Sequence, residues 1–113
     1  MKSVGYALKG LVIAWKEEFN FKIEIAAVVF TLAASVVFDL STIEFALVIL
    51  TIGLVLVTEL FNTALEELCD ALEPNHDPHI AKIKDISAAA VFITSLTAFI
   101  IGVIIFGSHL LAY

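Results

Sequence analysis

Three long apolar runs dominate this chain, and charges gather in short clusters between them. Ile25 to Phe38 is uninterrupted apolar or small sequence, Phe45 to Val57 is a second such run, and Ile86 to Phe106 a third. Crossing about 30 Å of hydrocarbon takes about 20 helical residues. The first run, at 14 residues, reaches that length only if it starts near Phe21. Lys22 and Glu24 then fall in its first turns. Lysine can snorkel to the interface, whereas an ionisable group such as Glu24 inside a span ordinarily faces a bundle interior. The pattern predicts membrane helices over 21–38, 43–73 and 78–107.

The first twenty residues follow a different rhythm. Val4, Leu8, Leu11, Trp15 and Phe19 recur at steps of three and four, the stripe of a helix with one apolar side. Lys2, Lys9 and Lys16 occupy the other side. A helix of this kind over 1–20 lies in the membrane interface. Its charges run throughout, with no compact apolar core, so it does not read as a cleaved leader. Glu18 breaks the pattern, falling roughly 40° from Val4 on the wheel, within the apolar stripe. A fraying helix end that lets Glu18 reach water is one explanation.

The connections carry their own signals. Asp39 to Glu44 reverses the chain. Glu73-Pro74 ends the second span, since proline disfavours helical geometry in the residue before it. Asp77-Pro78 reads as an N-cap and first helical residue. From there the third helix runs about 45 Å to Gly107 at 1.5 Å per residue. Gly53 and the run Ser87-Ala88-Ala89-Ala90 are small-residue surfaces suited to close helix contact.

Composition turns this pattern into a class. Of 113 residues, 61% are hydrophobic, above the roughly 45–50% of soluble domains. Only 16% are charged and none is arginine. The expectation is one all-α, polytopic membrane domain over 1–113. The single Cys69 excludes an internal disulfide and reads as small core filler. Lys2, Lys9, Lys16 and Lys22 precede the first long apolar run, Lys82 and Lys84 lie between the second and third runs, and the 39–44 turn has no lysine. Under the positive-inside rule the N-terminus and the 71–85 loop are cytoplasmic.

Candidate chemistry gathers where the second apolar run ends. At about 100° per residue, Glu59, Asn62, Glu66 and Asp70 fall within an arc of roughly 80°. Oxygen ligands in one stripe suit Mg²⁺, which takes one or two carboxylates together with substrate phosphates and water. With Glu18 and Glu24 nearby and Lys82 and Lys84 on the same side, the set suits phosphoryl transfer. The same carboxylates would also serve a small proton- or cation-coupled transporter, or simply charge the helix ends of a structural bundle. No glycine-rich phosphate cradle is present, and no Ser/His/Asp motif is recognisable. His76 and His79 with Asp77 have spacing that could bind a transition metal, although such a loop more often supplies a cap and solvated side chains.

The segment Glu59-x-x-Asn62-Thr63-Ala64-Leu65-Glu66-x-x-x-Asp70, followed by Lys84-Asp85-x-x-Ala88-Ala89-Ala90-Val91, resembles the signature of prokaryotic diacylglycerol kinases and undecaprenol kinases. Gly5-Tyr6-x-x-Lys9-Gly10-x-x-x-Ala14-Trp15-x-x-Glu18, with Phe21 and Glu24, is similar to the opening helix of that family. The likeness runs from about Gly5 to Val91. It implies a homotrimeric kinase of the bacterial cytoplasmic (inner) membrane that moves the γ-phosphate of ATP to a lipid alcohol. By the same resemblance Glu59 is the general base, and Glu18 and Glu66 hold Mg²⁺ with the nucleotide. An inward-facing Glu18 would then be neutralised by the metal, which offsets its desolvation. Asn62 helps position the reacting groups, and Tyr6, Lys84 and Asp85 contact nucleotide. Asn75, His76 and Asp77 occupy the loop expected to cover it. Glu24, Glu59 and Ala88 fall at the acceptor lipid; the family carries a serine where this chain has Ala88, with Ser87 beside it. The lack of a long basic N-terminal arm and the Asp-Pro-His loop point toward the undecaprenol branch rather than diacylglycerol.

Overall fold

The computed structural model describes residues 2–112. Met1, the first residue of the expected 1–20 helix, and Tyr113 lie outside the described residues. Four helices follow one another: α1 (Lys2–Glu17), α2 (Phe19–Val37), α3 (Thr42–Leu72) and α4 (Pro78–Ala112). The last three are long and apolar enough to cross a membrane.

The N-terminal helix stops earlier than its periodicity predicts. Glu18 adopts an extended conformation (φ −112°, ψ 106°) and stands as the N-cap of α2, so the chain changes direction there rather than at Asn20. The break is tight. Glu18 N–H still donates to Ala14 O at 2.9 Å, and Phe21 N–H donates to Glu18 O at 3.1 Å. Lys22 Nζ sits 5.7 Å from the Trp15 ring centroid and ties the two helices across it, a contact between a cation and an aromatic face. The displaced position of Glu18 on the apolar side of the wheel thus marks a break, which a continuous helix cannot represent.

The turn between α2 and α3 is built from side-chain chemistry. Asp39 has φ 53°, in the left-handed region that Asp tolerates better than most residues. Leu40 N–H returns to Ser35 O at 3.2 Å, and Asp39 N–H to Val36 O at 3.1 Å. Ser41 and Glu44 then form a reciprocal capping box. Ser41 N–H donates to Glu44 Oε1 at 2.9 Å, and Glu44 N–H donates to Ser41 Oγ at 3.2 Å. Two otherwise orphaned donors are thereby satisfied.

Between α3 and α4, Asp77 takes the N-cap role that Asp77-Pro78 predicts. Its Oδ1 accepts from His79 N–H at 2.8 Å and Ile80 N–H at 3.3 Å. At the other end α4 continues through Gly107 to Ala112, five residues past its expected end. Nothing local stops it: Ser108 Oγ–H donates to Ile104 O at 2.6 Å within the helix, and His109 reaches α3.

The packing core is the antiparallel α3–α4 pair, with α1 and α2 making smaller contacts. Polar rungs fasten the pair along its length. Lys84 pairs with Asp70, Ser87 with Asn62, Thr58 with Thr94 at 2.9 Å, and His109 with Glu44. Phe38 lays its ring edge-on to Phe106 at 5.9 Å and brings the end of α2 against α4. Small residues do not mark this packing. A Cβ at Gly53 would meet nothing within 4 Å, and Ala88, Ala89 and Ala90 are exposed. Of that small-residue run, Ser87 meets α3, while about 100° and 200° of rotation turn Ala88 and Ala89 away.

Candidate active site

Glu59 follows directly on the apolar run of α3, and it is only 8% exposed. Beside it stands Glu24 of α2, whose carboxyl interacts directly with that of Glu59. The Oε2 of Glu24 is enclosed and has no hydrogen-bond partner. Buried polar atoms are ordinarily satisfied, so this pair is built to receive a donor. A cavity of about 480 Å³ between α2, α3 and α4 is lined by Glu24 together with Thr31, Val55, Gly102 and Phe106. Glu24 on the wall of this apolar groove, with Glu59 beside it, can receive a hydroxyl whose hydrocarbon tail lies in the groove.

One turn beyond Glu59, Asn62 links α3 to α4. Asn62 Nδ2 donates to Glu66 Oε1 at 3.3 Å. Ser87 Oγ–H donates to Asn62 Oδ1 at 2.7 Å. Glu66 is exposed. Another turn on, Asp70 is engaged by Lys84. The stripe inferred from the wheel is therefore real as geometry, and it forms the seam between α3 and α4 rather than a free face.

Glu18 belongs to a different wall. A cavity of about 600 Å³ between α1 and α3 is lined by Glu17 and Glu18 on one side and by Thr63, Ala64 and Glu67 on the other. Glu66 is not on that wall. Glu67 escaped the sequence reading, yet Leu60, Thr63, Ala64 and Glu67 at steps of three and four mark the face that α3 turns to α1.

The remaining candidates are scattered more widely. Tyr6, on α1, is 71% exposed. Asp85 and Ala88 are exposed on α4, and Asn75 and His76 are exposed in the connection before it. Asn75 N–H donates to Glu73 Oε1 at 3.3 Å, while Asp77 commits one carboxylate oxygen to capping α4.

The donor set fits Mg²⁺ when it arrives with a nucleotide. Among the described residues no three His, Cys, Asp or Glu side chains converge to hold a metal alone. Mg²⁺ does not require such a cage, since substrate phosphates and water complete its shell around one or two carboxylates. Glu66 offers Oε2 while Oε1 is held, and Glu18 sits on the wall of a cavity roomy enough for phosphates.

Residues 5–106 match the profile of the family described as prokaryotic diacylglycerol kinase. The chain is 32% identical to a diacylglycerol kinase of Escherichia coli over 109 residues, covering 96% of this chain and 89% of that protein. It is 34% identical to an undecaprenol kinase of Bacillus subtilis over 105 residues, covering 93% and 85%. A diacylglycerol kinase of Helicobacter pylori is 31% identical over 111 residues, covering 98% and 84%.

Proposed function

The chain belongs to the prokaryotic diacylglycerol kinase family and is a lipid kinase, and on that premise we propose how its residues divide the work. The enzyme transfers the γ-phosphate of ATP to the hydroxyl of a membrane lipid alcohol, with undecaprenol favoured over diacylglycerol. The observation that carries this reading is the Glu24–Glu59 carboxyl pair, whose Glu24 member lines the apolar groove.

Glu59 is the general base. The acceptor hydroxyl oxygen attacks the γ-phosphorus, its proton passes to the Glu59 carboxylate, and the bond from the γ-phosphorus to the bridging oxygen breaks as ADP leaves. Positioning and charge compensation carry most of such a transfer. Glu24, with its enclosed Oε2, stands beside Glu59 at the acceptor lipid and orients that carboxylate, which alone takes the hydroxyl proton, and Ala88 contributes to the acceptor site. Glu18 and Glu66 would hold Mg²⁺ with the nucleotide phosphates, and the ion would supply positive charge to offset that of the transferred phosphoryl group. Asn62 fixes the Glu66 carboxylate. Lys84, Asp85 and Tyr6 contact nucleotide, and Asn75, His76 and Asp77 cover it. Lys84 would exchange its Asp70 partner for phosphate.

The whole chain acts as one domain in the bacterial inner membrane. Its lysine distribution supports a cytoplasmic N-terminus and 71–85 loop, which puts the carboxylates where ATP is. Trp15 and the lysines of α1 support a helix lying in the interface. A homotrimer would cover apolar and small surfaces that one chain leaves open, among them Phe30, 76% exposed, Gly53 and Ala88 to Ala90. It would also allow Glu18 and Glu66, which lie on different walls of one chain, to serve one nucleotide between copies.

The test is an assay of the purified protein in mixed micelles with Mg²⁺, γ-labelled ATP and either undecaprenol or diacylglycerol. Label should pass to a lipid phosphate, more readily from undecaprenol. If neither lipid is labelled under conditions in which the Bacillus subtilis relative is active, the kinase assignment fails. The buried carboxyl pair would then return to the ion-relay reading.

A further inference from the structure

Ser87 is the α4 side chain that hydrogen-bonds to Asn62 of the Asn62–Glu66 pair, and its hydroxyl behaves unlike most others in these helices. Thr31, Ser35, Thr51, Thr97 and Ser108 each donate to the backbone carbonyl four residues back. That is the usual outlet for a helical hydroxyl. Ser87 instead reaches across to α3 and donates to Asn62 Oδ1 at 2.7 Å in a half-buried setting.

The direction of that bond matters because a carboxamide has two unlike ends. An ionised carboxylate only accepts hydrogen bonds, so Asn62 must present its NH₂ group to Glu66. Its carbonyl then faces α4 and needs a donor. Ser87 is that donor; the opposite orientation is unfavourable because it would turn the carbonyl toward the Glu66 carboxylate, and the Ser87 bond holds the amide in the favoured one. The bond from Asn62 Nδ2 holds Glu66 Oε1, which leaves Oε2 turned to solvent. One turn before Ser87, Lys84 engages Asp70, so α4 is fixed against α3 on that side of the relay as well.

We propose that Ser87 is a positioning residue: it locks the Asn62 carboxamide and thereby aims the Glu66 carboxylate at the cation that enters with the nucleotide. This rests on the assignment of Glu66 as a cation ligand. It also gives this chain a hydroxyl in the acceptor region beside Ala88, delivered from the neighbouring position and directed at Asn62 rather than at lipid.

The experiment titrates Mn²⁺, as a spin-active substitute for Mg²⁺, into the full-length protein with a non-hydrolysable ATP analogue, read by electron paramagnetic resonance. Lipid-kinase turnover is followed in parallel. Ser87→Ala should weaken Mn²⁺ binding about two- to tenfold, the scale of one lost net hydrogen bond, and leave KM for the lipid alcohol unchanged. Ser87→Thr, which keeps the hydroxyl, should bind Mn²⁺ as the parent does. In an Asn62→Ala background, Ser87→Ala should add nothing, since the relay is already cut. Parent-like Mn²⁺ binding by Ser87→Ala, or independent effects of the two substitutions, would overturn the proposal while leaving the kinase reading intact. A parent protein that neither binds Mn²⁺ with nucleotide nor phosphorylates lipid would overturn both.

Discussion

His109 Nε2 lies 3.1 Å from each carboxylate oxygen of Glu44, so the last turns of α4 are clasped to the first turn of α3. This contact joins residues 65 positions apart. It sits at the opposite end of the hairpin from the Asp70–Lys84 pair. Glu44 uses Oε1 for its capping bond to Ser41 as well, so a single carboxylate both starts α3 and holds α4. His109→Ala should therefore lower the thermal unfolding midpoint in detergent. Turnover at low temperature should change little, because the clasp is remote from the carboxyl pair. Glu44→Ala should cost more than His109→Ala, since it also removes the cap. Equal losses would mean that the capping box contributes nothing.

Glu59→Gln should reduce kcat by about 10² to 10⁴, the range for loss of a positioned general base. Nucleotide and Mn²⁺ binding should persist, because Glu59 belongs to the buried pair with Glu24 and not to the Glu66 relay. Steady-state rates combined with equilibrium titration check both halves. A variant that turns over at the parental rate would remove Glu59 from the chemistry.

Glu66→Gln keeps the size of the side chain and removes its charge. The Mg²⁺ concentration for half-maximal activity should rise by about tenfold or more, consistent with the loss of one carboxylate from a shell that holds only one or two. KM for the lipid should stay put. An unchanged Mg²⁺ dependence would assign the cation to other groups, with Glu67 on the α1-facing wall the first to examine.

Glu24→Gln separates stability from activity. Two adjacent carboxyls in an enclosed site repel when both are ionised, and an amide can donate to Glu59 instead. The variant should unfold at the same or a higher temperature than the parent. Its kcat/KM for the lipid alcohol should fall, by about tenfold, because Glu59 then spends an oxygen on the amide rather than on the acceptor hydroxyl. A drop in stability with unaltered kcat/KM would make the pair structural.

The spans, the turn at 39–44 and the Asp77-Pro78 cap were legible in the sequence because each depends on local chemistry. Hydropathy, proline geometry and an acidic cap act within a few residues. The stripe Glu59, Asn62, Glu66, Asp70 was legible for the same reason: periodicity reports which side chains share a face of one helix. It does not report which neighbour meets that face. Glu18 was placed on a helix that in fact ends at Glu17, since a wheel assumes continuity. Gly53 and Ala88 to Ala90 are suited to close contacts, yet within this chain Gly53 has open space beside it and the alanines are exposed, because small size permits an approach without requiring one. Ser87 and Glu67 acquired meaning only once α4 and α1 were set beside α3. The end of α4 was misjudged because Gly107 carries no stop signal that its surroundings enforce.

The single extended residue between α1 and α2 has a mechanical consequence. The α3–α4 pair is riveted by polar contacts from one end to the other, whereas α1 buries only Ala14 among its described residues and is joined to α2 by one non-helical link, the Lys22–Trp15 contact and smaller packing contacts. A swing of α1 about that link would carry Tyr6, about 18 Å away at 1.5 Å per residue, through a wide arc and leave Glu18 almost where it was. Such a swing would widen the space between α1 and α3 like a door from its free edge, while the carboxylate mounted at the hinge would keep its place.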